Sequence, residues 1–273
     1  MSYTPTAVRA LSFGRVADAY DRYRPGPPGE AVAWVLPAGA TDVLDLGAGT
    51  GAVTRLLIEQ VLGPEDTTAR DERVEGPAAA PVRGKVVSAE PDERMRAVLV
   101  RRSPRALPVG ARAEALPFAD RSFDAVVVSS AWHWMDPALT VSEVGRILRP
   151  GGRLGVLWNG PVRDVPWVAD LLGRGRRPTR PAGEARPRHV VELPGGAPFA
   201  SPETTVMAWS KPTTSEELVG LTGTCSRVIT RSAEERAELL ARIERVVASD
   251  PGLAGGASID LPMRCLCWRA TRV

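Results

Sequence analysis

Between residues 42 and 58 a short apolar run, Asp42-Val43-Leu44-Asp45-Leu46, breaks into Gly47-Ala48-Gly49-Thr50-Gly51. The chain then continues as Ala52-Val53-Thr54-Arg55-Leu56-Leu57-Ile58, whose apolar residues recur at helical spacing. This reads as strand, glycine turn, helix. No other stretch limits the fold as much. A glycine turn lets a ligand approach the backbone closely, and the helix N-terminus behind it favours negative groups.

The alternation repeats downstream. Lys85–Ala89 is a predicted strand that ends at Glu90, and a helix is expected from Asp92 to about Arg101 with Met95, Val98 and Leu99 as its apolar stripe. A weak strand follows near 107–112. Asp124–Ser129 is a nearly continuous apolar strand of the kind buried on both faces of a parallel sheet. Pro137–Leu148 reads as a helix stopped by Pro150-Gly151-Gly152, and Arg153–Trp158 as another buried strand. Strands alternating with helices predict an α/β, doubly wound parallel sheet.

Three stretches stand outside this pattern. Residues 1–40 read as a helical lead-in. Residues 63–84 carry almost no large apolar residue and read as a flexible surface insertion within a core of 41–160. Residues 173–202 are rich in Arg, Pro and Gly and read as a long loop or lid, part of a 161–273 region. There, a strand at Thr204–Trp209, helices at Ser215–Leu221 and Ala233–Val247, and a last strand at Pro262–Ala270 are expected.

The chain carries a net charge of +3, yet all but Lys85 and Lys211 of its 35 basic residues are arginine, beside 26 Gly and 25 Pro. That is the coding bias of a GC-rich genome, so the basic pI is weak evidence for nucleic acid, and no nucleic-acid partner is expected. No apolar run approaches the roughly 20 residues of a membrane span. Met1–Arg15 lacks a signal peptide's apolar stretch, and a cytoplasmic protein is expected. Cys265 and Cys267 would share one face of a strand, too close in sequence for an unstrained disulfide. With Cys225 they read as buried, reduced thiols, and no metal site is expected.

The glycine spacing leaves two nucleoside ligands open. A dinucleotide fingerprint, G-x-G-x-x-G, would put its third glycine at Ala52 and tolerates alanine there, so a nicotinamide-dependent oxidoreductase remains a reading. The Asp-x-Gly-x-Gly-x-Gly string from Asp45 to Gly51 fits another pattern better. Glu90 serves either ligand, since an acid at the tip of the second strand accepts hydrogen bonds from a ribose diol. It lies 39 residues past Gly51; leaving out the 22 residues of 63–84 shortens that to 17, close to the roughly 20 expected.

Asp45–Gly51, Ser88-Ala89-Glu90-Pro91, Ala113-Glu114-Ala115-Leu116-Pro117-Phe118, Phe123–Val127 and Leu148-Arg149-Pro150-Gly151-Gly152 occur in that order. Together they resemble the class I S-adenosylmethionine-dependent methyltransferases. The likeness is to the type-11 group, which includes ubiquinone/menaquinone-biosynthesis and trans-aconitate methyltransferases. The motifs cover roughly residues 40–160. Tyr20–Pro25, Trp132-His133-Trp134 and Trp158-Asn159 are similar to a bacterial subset of that group.

The resemblance implies a Rossmann-like, mostly parallel seven-stranded sheet with helices on both faces and an antiparallel C-terminal strand. It implies that Gly47, Ala48, Gly49 and Gly51 pass close to S-adenosylmethionine, with Asp45 holding the turn and the ammonium side. Glu90 would take the ribose hydroxyls, and Pro91 with Met95 would line the adenine. Ala113 and Glu114 would meet the adenine edge through backbone groups, and Ser129 and Ala131 would lie near the sulfonium. Family members often carry Asp where Ala113 or its neighbour stands, so adenine recognition would lean on backbone. Tyr20 and Arg24 would close over the cofactor from the N-terminal segment.

Methyl transfer is an in-line displacement that needs alignment and a dry pocket, and no metal. His133 reads either as a general base beyond the fourth strand or as a structural histidine between Trp132 and Trp134. Trp132 and Trp134 with Tyr20 form either an aromatic wall or ordinary core, and Trp158 is a further candidate for the acceptor pocket. The expected function is methyl transfer from S-adenosylmethionine to a small-molecule acceptor, leaving S-adenosylhomocysteine. A methyltransferase-like binding or regulatory protein without turnover is the alternative from another class.

Overall fold

Runs of valine and leucine bounded by turn residues extend into strands, and their burial on both sides forces helices onto both faces of the sheet. A computed structural model describes residues 11–64, 84–171, 189–249 and 258–273. The strands are β1 (Asp42–Leu46), β2 (Lys85–Ala89), β3 (Leu107–Val109), β4 (Phe123–Ser129), β5 (Leu148–Pro161), β6 (Glu203–Thr213) and β7 (Ile259–Thr271). They form one sheet in the order β3-β2-β1-β4-β5-β7-β6. β1 to β5 pair in parallel, and β7 runs antiparallel to both β5 and β6. The expected Rossmann-like sheet is therefore present, with two long antiparallel pairings at its C-terminal side.

On one face, Val32 and Val35 of the helix Gly29–Val35 and Val53 and Leu57 of the helix Ala52–Leu57 pack on Val43, Val86, Val127 and Leu157. On the other, Val141, Val144 and Ile147 of the helix Pro137–Ile147 cover Leu44, Leu46, Val126 and Val156. A third cluster joins the helices Pro166–Leu171, Ser215–Gly223 and Ala233–Ser249 to the start of β7.

Two local readings change. β5 begins at Leu148, so Pro150-Gly151-Gly152 does not separate helix from strand. Leu148 already pairs with Phe123, and the stretch bulges before Arg153 pairs with Ala125, with Gly151 at φ +79°. Cys265 and Cys267 are buried and reduced with their sulfurs 3.8 Å apart, whereas Cys225 is only half-buried. Most of the 63–84 insertion and the 173–188 part of the long loop, with its arginines, lie outside the described residues.

The lead-in is tied down by contacts far away in sequence. The helix Ala17–Tyr23 lies between Glu93–Arg102 and Ser215–Gly223. Arg22 and the Tyr23 hydroxyl both donate to Glu216, at 2.8 and 3.0 Å. The Tyr23 ring rests on Gly220, where an added Cβ would come within 2.5 Å of ring atoms. Gly to Ala inside a helix ordinarily stabilises by about 0.5–1 kcal/mol. At Gly220 the sign is expected to reverse, because the methyl displaces Tyr23. A thermal melt of Gly220→Ala should fall below that of the unchanged chain.

Candidate functional site

The carboxyl ends of β1 and β4 meet where the strand order reverses, with β2 and β3 extending the sheet on one side of β1 and β4 and β5 on the other. Open α/β sheets bind ligands at such a point. The glycine turn lies there. Gly47, Gly49 and Gly51 have φ of +72°, +58° and +87°, and Gly47 and Ala48 both donate to the Ala89 carbonyl, at 2.9 and 3.1 Å. The three glycines differ in what they face. A Cβ on Gly47 would lie 2.7 Å from the Ala131 methyl and 3.0 Å from Met135 Cε, and one on Gly49 would lie 3.5 Å from Met95 Cε. Gly51 instead faces Leu99 and Ser103, so it serves the packing of the following helix.

Glu90 is only 8% exposed. Its two oxygens accept the backbone N–H groups of Gly49 and Asp92, each at 2.8 Å, which locks the carboxylate between the glycine turn and the next helix. Burial raises its proton affinity above the usual carboxylate value, against those two bonds. Each oxygen keeps a further lone pair for a ligand hydroxyl. Asp92 caps the helix Glu93–Arg102 by accepting from Arg94 and Met95, and Gly14 comes so close that a Cβ there would strike its carboxylate.

Asp45 is 1% exposed and accepts the Thr54 hydroxyl at 2.6 Å, with Ser88 a further 2.9 Å from Thr54. Burial pushes its carboxyl up to about 7, with the Thr54 bond opposing and the nearby Glu90 adding. A folded value above the unfolded one means that the stabilisation is complete below about pH 4 and is lost as pH rises through 7. Asp45→Asn keeps an acceptor for Thr54 and never has to carry the buried charge. Its melting temperature without ligand should therefore gain on that of the native chain between pH 5 and pH 8, and a pH-independent difference would contradict this.

Past the tip of β4, Ser130 adopts φ +55° and donates to the Leu157 carbonyl at 2.8 Å. Trp132–Trp134 then forms a short turn in which Trp132 is buried and His133 is exposed, with its ring 4.5 Å from that of Trp134. Phe13 meets Tyr20 and Trp134 edge-on, at 5.6 and 6.0 Å, and so joins the lead-in to this turn. Tyr20 and Met95 share that small cluster.

The structure thus brings Gly47, Gly49, Glu90, Met95, Ala131, Tyr20 and Trp134 around one crevice, with Ser129 half-buried at the tip of β4 and Gly51 turned toward the following helix. Pro91 is exposed beside it, and Ala113 is buried. Glu114 directs its carboxylate to the Asp136 amide at 3.0 Å and to Arg112 at 3.2 Å. Arg24 donates to the Thr224 hydroxyl and carbonyl, both at 3.1 Å, and so ties the lead-in to the end of Ser215–Gly223. Phe13 and Asp21 were not singled out by sequence. The Asp21 carboxylate bridges Arg55 and Arg102, both at 3.1 Å, and its position in the Tyr20–Pro25 string was the one available signal.

A methyltransferase domain family matches residues 73–156. An uncharacterized methyltransferase of Mycobacterium tuberculosis is 37% identical over 265 residues, 96% of each chain. An uncharacterized methyltransferase-like protein of Schizosaccharomyces pombe is 28% identical, covering 90% of this chain and 89% of its own. Among solved structures, one assigned as a type II methyltransferase from Anaeromyxobacter dehalogenans has a TM-score of 0.59 at 23% identity, covering 92% of this chain and 98% of that one. Phosphoethanolamine N-methyltransferase 2 of Haemonchus contortus, solved with phosphomonomethylethanolamine and S-adenosylhomocysteine, has a TM-score of 0.50 at 14% identity over 95% of this chain and 57% of that one. The sheet order and the glycine crevice define a methyltransferase of Rossmann-like fold. The chain belongs to the class I S-adenosylmethionine-dependent methyltransferases, in the type-11 group. Among the described residues no helix is long and apolar enough to cross a membrane.

Proposed function

We propose that this chain binds S-adenosylmethionine in the crevice between β1 and β4 and transfers its methyl group to a small-molecule acceptor. The observation that carries the reading is Glu90, a buried carboxylate pinned by the Gly49 and Asp92 amides at the end of the second strand. Whether a nucleoside with an amino-acid tail suits the crevice is tested by Gly47, where even a Cβ would meet Ala131. A turn that must stay bare, beside an acid with unused lone pairs, suits that group.

Glu90 would accept the ribose hydroxyls, and Pro91 and Met95 would line the adenine, whose edge would meet the backbone at Ala113 and Glu114. Gly47, Ala48, Gly49 and Gly51 would pass close to the ligand, with Asp45 holding the turn and Ser129 and Ala131 near the sulfonium. When bound, the cofactor supplies a methyl group on a positively charged sulfur. The protein holds the acceptor in line with it and keeps water out, and such positioning can account for roughly 7–11 kcal/mol of a barrier. Tyr20 and Trp134, clamped by Phe13, would roof the crevice, with Arg24 bracing that roof through Thr224. Trp132, Trp134 and Trp158 would face the acceptor. His133, exposed in the turn that follows β4, is the candidate base for an acceptor that must lose a proton.

Calorimetric titration with S-adenosylmethionine and S-adenosylhomocysteine tests the cofactor, and both should bind. Failure of both at millimolar concentration would sink the proposal. Methyl transfer to members of a small-molecule panel separates an enzyme from a binding protein of the same fold, which would bind the cofactor and turn nothing over.

A further inference from the structure

Trp158 is 6% exposed, and its indole Nε1–H has no hydrogen-bond partner among the described residues. An indole nitrogen only donates. A buried donor left without an acceptor is costly and uncommon in native proteins, so each instance calls for an explanation. A trapped water does not supply one easily, because a buried water needs two to four polar partners and the indole sits in a cluster of apolar side chains.

The position of Trp158 supplies an explanation. Ser129, at the tip of β4, pairs with Leu157, so Trp158 is the first residue of β5 beyond that tip. Its side chain belongs to the cluster that contains Trp132, Ala131 and Met135, and the last two are the groups that a Cβ on Gly47 would strike. The sheet order puts β5 on the opposite side of β1 from β2 and Glu90. The indole thus stands on the side of the crevice left for the acceptor. His189 meets it edge-on at 5.5 Å, and Val191 is buried in the same cluster.

We infer that Trp158 Nε1–H is the specificity handle of the acceptor pocket, and that the acceptor is a flat, mainly apolar molecule carrying an oxygen that accepts this hydrogen bond. The inference rests on the methyltransferase reading of the crevice. Trp132 and Trp158 are both buried in this one cluster, and a pocket opened among such rings favours a planar frame. A single buried donor selects a carbonyl or similar oxygen, and a molecule lacking it leaves the N–H unpaired, which is the strongest form of discrimination a pocket can make. In this structure the N–H is closed off from solvent and His189 lies against the ring, so the acceptor reaches it by shifting the segment around His189 and Val191.

The test uses the full chain with isotope-labelled tryptophan, saturated with S-adenosylhomocysteine after that affinity has been measured. Acetophenone and ethylbenzene are the probes, alike in shape and differing in the carbonyl oxygen. Trp158→Phe assigns the indole resonance and removes the donor while keeping an aromatic ring. Acetophenone should move the Trp158 Nε1–H resonance downfield and bind roughly tenfold or more tighter than ethylbenzene. In Trp158→Phe that preference should vanish while the affinity for S-adenosylhomocysteine stays within about twofold of native. A Trp158 resonance unmoved by acetophenone, or one already at a hydrogen-bonded position without any probe, overturns the inference, as does a preference that survives in Trp158→Phe. If that variant does not fold, the Trp158 resonance is assigned by elimination, replacing each of the other six tryptophans by phenylalanine in turn, and its response in the native chain decides. Failure of S-adenosylhomocysteine to bind at the outset would instead fell the methyltransferase reading itself.

Discussion

Glu90→Gln is expected to weaken S-adenosylhomocysteine binding about 100-fold while leaving the ligand-free chain close to native in thermal stability. The amide has one acceptor oxygen where the carboxylate has two, so either Gly49 or Asp92 loses its acceptor and faces an NH2 group instead. The ribose hydroxyls lose a charged acceptor at the same time. Hydrogen bonds to charged groups contribute about 1.5–3 kcal/mol each, and a loss near 2.7 kcal/mol corresponds to about 100-fold in affinity. Stability moves less because two effects oppose. The variant loses a backbone contact but no longer carries the buried charge whose desolvation raises the Glu90 proton affinity. That same rise gives a pH dependence. The acid protonates at a higher pH than a free glutamate, so cofactor affinity should fall as pH drops, before it would at an exposed acid, and Glu90→Gln should lack that limb. Calorimetry across pH reads both. Native-like affinity in Glu90→Gln would remove Glu90 from the site.

Much of this site was legible because its signals are local. β1, β2 and β4 are written as apolar runs, and the glycines sit at a strand-to-helix boundary that only such residues tolerate. Glu90 stood at the expected distance once the insertion was set aside. The lead-in was less legible, since its hydrogen bonds join residues about 200 positions apart. Nothing in the sequence around Arg24 points to Thr224, or around Tyr23 to Gly220, because a glycine inside a helix marks a close approach without naming what approaches. Asp21 was hidden differently. It lies in a string rich in charge, and only the fold shows its carboxylate buried between Arg55 and Arg102 while Asp18 and Arg22 stay exposed. The early start of β5 escaped for a further reason: Pro-Gly-Gly ordinarily ends an element, and here it bulges within one.

Gly47→Ala is expected to cost about 2–5 kcal/mol of stability and to abolish cofactor binding, and Gly151→Ala shows how those effects divide. Both glycines have φ above +70°. A side chain in that region costs about 1–2 kcal/mol on its own. At Gly151 nothing lies within 4 Å of the added Cβ, so strain is the whole cost there. At Gly47 the methyl would lie 2.7 Å from that of Ala131 and 3.0 Å from Met135 Cε, adding the roughly 1–3 kcal/mol of an overpacked site. For a chain near this size each kcal/mol lowers the melting temperature by about 2–4 °C. Gly47→Ala should therefore melt well below Gly151→Ala, and only the former should fail to bind S-adenosylhomocysteine. Adding Ala131→Gly to Gly47→Ala removes one of the clashing methyls and leaves the backbone strain. Stability should then return most of the way to the Gly151→Ala level. If Gly47→Ala instead matches Gly151→Ala in melting and still binds, Ala131 and Met135 yield freely. The crevice wall would then not be the rigid surface that keeps the glycine turn bare.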